Sequence, residues 1–172
     1  KACRTATWWR AGNEYKAGKD ELMVVPVSNR TGRQTMVLRN GGFSALANFL
    51  RQGETYSLDA GIYVDREALV TGAQAQLVVR PVLRLNGNPI SLKVLEDLRL
   101  VILSTGRDGV PTMLELPVGE IKDGEAFIHE FTVPDKLAKL QFTLKARVEN
   151  LAAGNKQDLA DQAAFAPNHR TA

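Results

Sequence analysis

Strict alternation of apolar and polar residues is the strongest pattern along this chain. At residues 139–148, Leu140, Phe142 and Leu144 alternate with polar side chains, and residues 55–65 and 74–85 have the same period of two. Successive side chains on a strand point to opposite faces, so each run predicts a strand with one buried and one solvated face. Less regular strand candidates lie at residues 22–27, 34–39, 98–104, 112–116, 126–133 and 161–166.

Turn-forming residues separate these runs. The segments "SNRTG", "RNGG", "LNGNP", "STGRDG", "IKDGE" and "AAGN" are rich in Asn and Gly, which suit hairpins and tight loops. Strands of a parallel α/β sheet are apolar on both faces, whereas these runs keep one polar face. The pattern therefore predicts an all-β fold, an antiparallel β-sandwich of about nine strands.

Three local features modify this prediction. Pro81 cannot donate a ladder hydrogen bond, so its strand is expected at a sheet edge or with a bulge. The segment "FSALANFLRQG" at 43–53 spaces Phe43, Leu46 and Leu50 as a helix would, which favours one short helix over a strand. The segment "SLKVLEDLRL" fits either a helical start or an irregular entry into the next strand.

The strand density predicts a division of the chain. Residues 56–166 hold about seven strands, enough for one sandwich, and residues 167–172 form a polar tail. Residues 1–55 hold two or three elements, too few to bury a core alone. We expect them either to dock on the sandwich or to belong to a neighbouring module. The chain is interpreted as a segment of a longer protein.

Charge and hydropathy exclude some classes of function. The net charge is +3, with 22 basic and 19 acidic residues interspersed along 172 positions, so no basic patch for nucleic acid is expected. The longest apolar run, "LRLVILS", is far shorter than the ~20 residues that cross a bilayer. We predict neither nucleic-acid binding nor a membrane-spanning segment.

Residues with catalytic or metal-binding chemistry are sparse. Cys3 is the single cysteine, and the two histidines, His129 and His169, lie far apart in sequence. A buried or edge histidine without a convergent partner is seldom catalytic, and these residues are too few for a usual zinc site. We predict no enzyme activity, no catalytic residues, no metal and no cofactor.

The acidic triplet Asp65-Arg66-Glu67 is the best candidate for calcium. Calcium prefers six to eight oxygen ligands, and three residues without further acidic motifs cannot supply them. We predict that the triplet lies in an exposed connection and binds no metal, with Val64 pointing into the core and Tyr63 outward.

Aromatic residues provide the candidate binding site. Trp8, Trp9 and Tyr63 could stack on a sugar or anchor a peptide, although paired aromatics also cover the edges of cores. Asn29-Arg30-Thr31 matches the glycosylation pattern, which is short enough to occur by chance.

Two stretches resemble a known type of module. "GIYVDREALVTGAQAQLVVRPVLRLNGNPI" and "FTVPDKLAKLQFTLKARV" are similar in layout to the opening and closing strands of macroglobulin-like or immunoglobulin-like domains in large bacterial exported proteins. The resemblance covers roughly residues 56–166. It implies a scaffold role alone, because the thioester motif of protease-trapping macroglobulins is absent.

The function expected from these observations is a non-catalytic structural or interaction module of a larger exported bacterial protein, secreted, periplasmic or at the cell surface. Its expected partners are the flanking domains of the parent protein and a protein or glycan. The alternative is an accessory domain of an exported hydrolase that binds glycan or peptide through Trp8, Trp9 and Tyr63.

Overall fold

The described part of the chain is built of antiparallel β-sheets, which confirms the all-β sandwich prediction. A computed structural model describes residues 7–10, 12–20, 22, 24–25 and 30–167. The chain divides into two units. The first comprises Lys1–Glu54 with Leu151–Gly154, and the second comprises Thr55–Asn150 with Asn155–Ala172. The sequence-based division at residues 55 and 166 stays a prediction about domain organisation.

The described residues of the first unit form one four-stranded sheet with the order β2-β1-β3-β4. Two hairpins build it, and each turns on a glycine with positive φ: Gly12 at 86° and Gly41 at 60°. Glycine adopts this backbone conformation without the steric penalty of a Cβ atom. The strands are β1 (Thr7–Arg10), β2 (Asn13–Lys16), β3 (Gly32–Asn40) and β4 (Phe43–Arg51).

The short helix favoured at residues 43–53 is wrong, because Phe43–Arg51 is strand β4. It pairs with β3 over its whole length, and half-buried Ala45 and Ala47 alternate with exposed Leu46. The apolar spacing fits either period, and the cross-strand ladder decides in favour of the strand. Of the strand predicted at 22–27, Leu22, Val24 and Val25 lie outside any strand, and the other positions fall outside the described residues.

The second unit contains three sheets. A four-stranded sheet has the order β11-β10-β13-β14, and two three-stranded sheets have the orders β12-β7-β6 and β5-β8-β9. Single 3₁₀ turns lie at Arg66–Ala68 and Leu92–Val94. The strands are β5 (Tyr56–Asp59), β6 (Ile62–Val64), β7 (Gln74–Val79), β8 (Val82–Leu85), β9 (Asn88–Ile90), β10 (Leu95–Gly106), β11 (Pro111–Pro117), β12 (Phe127–Thr132), β13 (Leu137–Asn150) and β14 (Asn155–Phe165).

The predicted strands at residues 55–65 and 74–85 are each interrupted, and the two halves of each belong to different sheets. The first divides at Gly61, so β5 pairs with β8 while β6 pairs with β7. The second divides before Pro81, which lacks an N–H for the ladder. The Arg80 backbone N–H donates to the Gly61 carbonyl at 3.2 Å and joins the two breaks. The expected edge or bulge at Pro81 is therefore wrong, and a change of sheet takes its place.

One apolar cluster fills the interior of the second unit. Leu77 and Val79 from β7 pack with Leu100 from β10 and Phe142 from β13, all fully buried. The Phe142 ring lies edge-on to Phe131, with ring centroids 5.6 Å apart, and to Phe165 at 5.9 Å. Phe131 belongs to β12, so this aromatic contact joins the opposing sheets of a sandwich. Alternation along each strand supplies the inward-facing residues.

Candidate interaction surface

The structure separates the three aromatic residues singled out from the sequence. Trp8 is buried and stacks on Tyr15, with ring centroids 4.3 Å apart. Trp9 follows it on β1, lies on the other face, and is 42% exposed. Tyr63 lies in the second unit and is 63% exposed. Exposure leaves Trp9 and Tyr63 available to a ligand, and a binding role for all three residues stays a prediction.

Tyr63 is part of an apolar row across the outer face of the β12-β7-β6 sheet. Both Tyr63 on β6 and Ile128 on β12 pair with Val78 on the central strand. Ile128 is exposed and Val78 half-buried, so the row is open to solvent. Outer faces of antiparallel sandwiches are usually polar, which makes this row unusual. We call Tyr63, Val78, Ile128, Gln76 and Glu130 the Tyr63 surface.

Polar pairs border the row. The Gln76 side-chain amide donates to the Glu130 carboxylate at 3.0 Å, and the Gln74 amide donates to the Thr132 hydroxyl at 2.9 Å. A depression of about 360 Å³ lies over this region, lined by Tyr63, Gln76 and Glu130 among others. An apolar centre with a polar rim is the usual composition of a protein-binding patch.

The Asp65-Arg66-Glu67 triplet lies in an exposed connection, as predicted from the sequence. Asp65 caps the 3₁₀ turn, and its carboxylate accepts from the Glu67 backbone N–H at 2.9 Å. Val64 is buried and Tyr63 points outward, which also agrees with the prediction. Within the described ranges, no three His, Cys, Asp or Glu side chains are grouped as a metal site would require. The expectation that the triplet binds no metal stays a prediction.

A second feature is a network of ion pairs on the outer face of the β11-β10-β13-β14 sheet. Arg147 donates to Asp158 at 3.0 Å and to Asp97 at 3.2 Å. Asp97 has a φ of 51° at a register shift in β10, which places a carboxylate beside the arginine. Lys156 pairs with Glu96. These side chains are exposed, so each pair contributes little to stability.

Arg99 is the basic residue at the centre of this face. Its guanidinium donates to Glu115 at 2.8 Å, and this hydrogen bond raises the pKa of Arg99 above its ordinary value. The hydrogen bond to Glu96 raises the pKa of Lys156 in the same way. Two shallow depressions of about 380 and 310 Å³ meet at Arg99. The face is charged but internally neutralised, so it is a weaker candidate for binding than the Tyr63 surface.

Asp123 stabilises a turn of the fold and is not part of a candidate binding site. Its carboxylate accepts from the Leu92 backbone N–H at 2.7 Å, which holds the 3₁₀ turn that precedes β10. This hydrogen bond, with a second from the Ser91 side chain, lowers the pKa of Asp123 below its ordinary value.

His129 is a half-buried strand residue, as the sequence indicated. Its ring is parallel to that of Phe127, with centroids 6.4 Å apart, while Glu130 points to the other, exposed face. The two residues therefore do not form an acid–base pair. Cys3, His169 and Asn29 lie outside the described residues. In the part of the chain that the structure describes, no helix is long and apolar enough to span a membrane.

Sequence reasoning missed Val78 and Ile128, two thirds of the apolar row. A signal existed, since Val78 is an apolar residue on the otherwise polar face of an alternating strand. Ile128 joins it only through the pairing of β12 with β7, which depends on register.

The strand orders define the class of this protein. In the second unit, β6, β7 and β12 form one sheet, and β10, β13 and β14, with β11 at the edge, form the sheet that opposes it, beside the small β5-β8-β9 sheet. Chain order and sheet membership together are those of an immunoglobulin-like β-sandwich.

Comparison with known families then identifies the particular immunoglobulin-like family. Residues 65–171 match the model of the AbpF third immunoglobulin-like domain, and the chain belongs to that family. The second unit begins at Thr55, so it includes β5 and β6, which precede the matched residues. The family supports the immunoglobulin-like part of the sequence-based resemblance and gives no support to the macroglobulin-like part.

One curated relative is Actin-binding protein F of Dictyostelium discoideum, which is 29% identical over 154 residues. The match covers 86% of this chain and 6% of that protein, so the chain spans a small fraction of its relative's length. No solved structure matches. These comparisons give no support to a bacterial or exported setting.

Proposed function

We propose that this chain is a non-catalytic interaction module of a larger protein. The observation that supports this most is the completed immunoglobulin-like sandwich, whose interior is filled by apolar side chains and whose family is that of a domain within a very long protein. Such a sandwich offers its outer faces, edges and loops to partners while its core maintains the shape. Location of the parent protein outside the cytoplasm stays a prediction from the sequence, and it is an alternative to the actin proposal below, because actin filaments lie inside the cell.

The Tyr63 surface is the face proposed to bind the partner. Tyrosine and isoleucine exposed in one row offer apolar area, and Glu130 and Gln76 beside them can give direction through hydrogen bonds. The name of the relative supplies the candidate partner, because that protein is called actin-binding. We therefore propose actin filaments as the partner of this surface.

Co-sedimentation with actin filaments tests the proposal. We expect the chain to pellet with filaments and Ile128→Asp to weaken binding at least tenfold, since a carboxylate in the apolar row must be desolvated. Met113→Asp is the matched control, because Met113 is an exposed apolar residue on the edge strand β11. Failure of the unsubstituted chain to pellet would reject actin as the partner, and equal binding by the two variants would reject the surface.

The second candidate function is recognition of a glycan or peptide through exposed aromatic rings. Trp9 and Tyr63 are both open to solvent, which favours this function over a purely structural one. Titration calorimetry against a panel of oligosaccharides and peptides tests it. Binding that is lost in Trp9→Ala or Tyr63→Ala and kept in Met113→Ala would support it, and no heat with any ligand would remove it.

A further inference from the structure

The four-stranded sheets of the two units have the same strand order. In the first unit the order is β2-β1-β3-β4, and in the second it is β11-β10-β13-β14. In both, the two middle strands are the first and third sheet strands in chain order, and each pairs outward with the strand that follows it. The first unit therefore has the arrangement of one half of an immunoglobulin-like sandwich.

The crossing segments between the hairpins also correspond. In the second unit the chain leaves β11, forms β12 in the opposite sheet, and ends at Thr132-Val133-Pro134 before β13. In the first unit the chain leaves β2 and passes through Val24-Val25-Pro26 before β3. The segment before β3 thus has the sequence position and the closing Val-Pro of a strand in an opposite sheet.

The segment around Val133 and the described residues of the segment around Val25 differ in structure. The Val133 backbone N–H donates to the Ala73 carbonyl at 2.9 Å, its carbonyl accepts from Gly72 at 3.0 Å, and its side chain is buried. Val25 lies outside any strand and is only half-buried. The bonds of Val133 come from the segment that leads into β7. The described residues of the first unit contain no strand equivalent to β7.

Apolar residues line one face of the first sheet. Trp8, Leu38 and Ala45 lie in one row across β1, β3 and β4, with Met36 and Ala47 in the next. Trp8 is buried and the others are half-buried. The opposite face is also partly apolar but more open to solvent, with Trp9 and Leu46 exposed. The face of Trp8 is therefore the one that an opposing sheet would cover, because a sheet buries its more apolar face against a second layer.

The curated relative is long enough to hold such a layer. Because 86% of this chain aligns with Actin-binding protein F, the match must extend into residues 1–54, which are about a third of the chain. The aligned part is 6% of that protein. A chain of that family can therefore carry further modules beside the two units described above.

We infer that residues 1–54 are the second half of a preceding immunoglobulin-like sandwich, and that its missing sheet is supplied by the parent polypeptide before residue 1. That sheet pairs with the segment around Val25 as β7 pairs with β12, and it covers the face of Trp8, Leu38 and Met36. The occupant is a short run of antiparallel strands with one apolar face.

Amide hydrogen exchange on a lengthened chain tests this inference. About 40 parent residues added before residue 1 suffice for three strands with their turns. We expect the amides of Leu22, Val24 and Val25 to exchange at least tenfold more slowly in the longer chain. The amides of β10 and β13 serve as the internal control and are expected to stay unchanged.

Two neighbouring valines give a matched pair of variants. Val25 takes the inward position of Val133, whereas Val24 takes the outward position of Thr132 and is 76% exposed. We expect Val25→Asp to remove the slowing that lengthening brings, and Val24→Asp to keep it.

Three results would overturn the inference. The first is unchanged exchange at Leu22, Val24 and Val25 in the longer chain. The second is slowing in the 172-residue chain as its concentration rises, which would identify a second copy as the cover. The third is slowing that survives Val25→Asp, because then the segment does not enter the interior.

Discussion

The two four-stranded sheets share a strand order and differ in what they bury. In the described part of the first unit, Trp8 is the one fully buried apolar side chain, whereas in the second unit β13 buries apolar residues along its length and β10 buries three at its centre. In both sheets local hairpin turns produce the two outer pairs, and pairing of the two middle strands joins them. Burial along several strands requires an opposing sheet, and specific contacts hold such a sheet in place in the second unit. Substituting each of these contacts tests how much it contributes to the stability of the second unit.

Removing the aromatic contact between the sheets is expected to have the largest effect on stability. Phe142 is fully buried between Phe131 and Phe165, so Phe142→Ala removes a large core side chain and is expected to cost the second unit about 3–5 kcal/mol. Leu38→Ala, at a half-buried site of β3, is expected to cost the first unit about 1 kcal/mol. Urea dependence of amide exchange in β13 and β3 measures both free energies. Equal losses would contradict the difference in burial.

Substitution of Gly61, where the chain changes sheet, is expected to have the second largest effect on stability. A Cβ atom there would lie 2.5 Å from the Arg80 carbonyl oxygen, and φ is 55°. Gly61→Ala is therefore expected to lower the free energy of unfolding by about 2–3 kcal/mol. Gly72→Ala, with positive φ but no heavy atom within 4 Å, isolates the backbone strain at about 1 kcal/mol. Thermal melts compare the two, and equal shifts would show that the Arg80 contact is unimportant.

Asp161 should contribute a smaller amount. Its carboxylate, on the inward-facing side of edge strand β14, accepts from the Ala60 backbone N–H at 2.8 Å and so ties β14 to the change of sheet. Asp161→Ala leaves that N–H without its acceptor and is expected to cost about 2 kcal/mol. Asp158→Ala removes only an exposed ion pair, worth at most about 1 kcal/mol. Denaturant unfolding that ranks Asp158→Ala above Asp161→Ala would be the contrary result.

Asp123 should give the smallest effect, measured as a difference in how steeply stability falls with acid. Its folded-state pKa is lowered by the Leu92 and Ser91 hydrogen bonds, so its contribution is fully present above the unfolded pKa, about 3.9. The contribution is lost as pH falls through the lower folded-state pKa. Melting temperatures between about pH 2 and 6 are expected to fall less steeply with acid for Asp123→Asn. Identical slopes for the two proteins would exclude this linkage.

The sequence predicted strands where one alternating pattern persisted, and it failed where the partner strand decides. Residues 139–148 fall within β13 as expected, because one face is apolar throughout. The breaks at Gly61 and Pro81 could not be located as changes of sheet, since that depends on which strand lies opposite. The hairpin that contains Trp8 was missed because four-residue strands are too short for a period to be visible.

Only part of the Tyr63 surface could be predicted from the sequence, because the pairing of strands again decides the rest. Tyr63 was identified from the polar face of its own strand, and its outward orientation is confirmed. Its neighbours Val78 and Ile128 come from two other strands, and sequence alone does not give the register that aligns them.

The consecutive tryptophans have an optical consequence. The chain has two tryptophans, and both lie on β1, so its tryptophan emission reports on the first unit. Because Trp8 faces the interior and Trp9 the solvent, one strand holds a reporter for each side of its sheet. In Trp9→Phe the remaining emission follows loosening of the interior, and in Trp8→Phe it follows contact by a ligand at the outer face. The first unit thus carries its own two-sided fluorescent label, without any added dye.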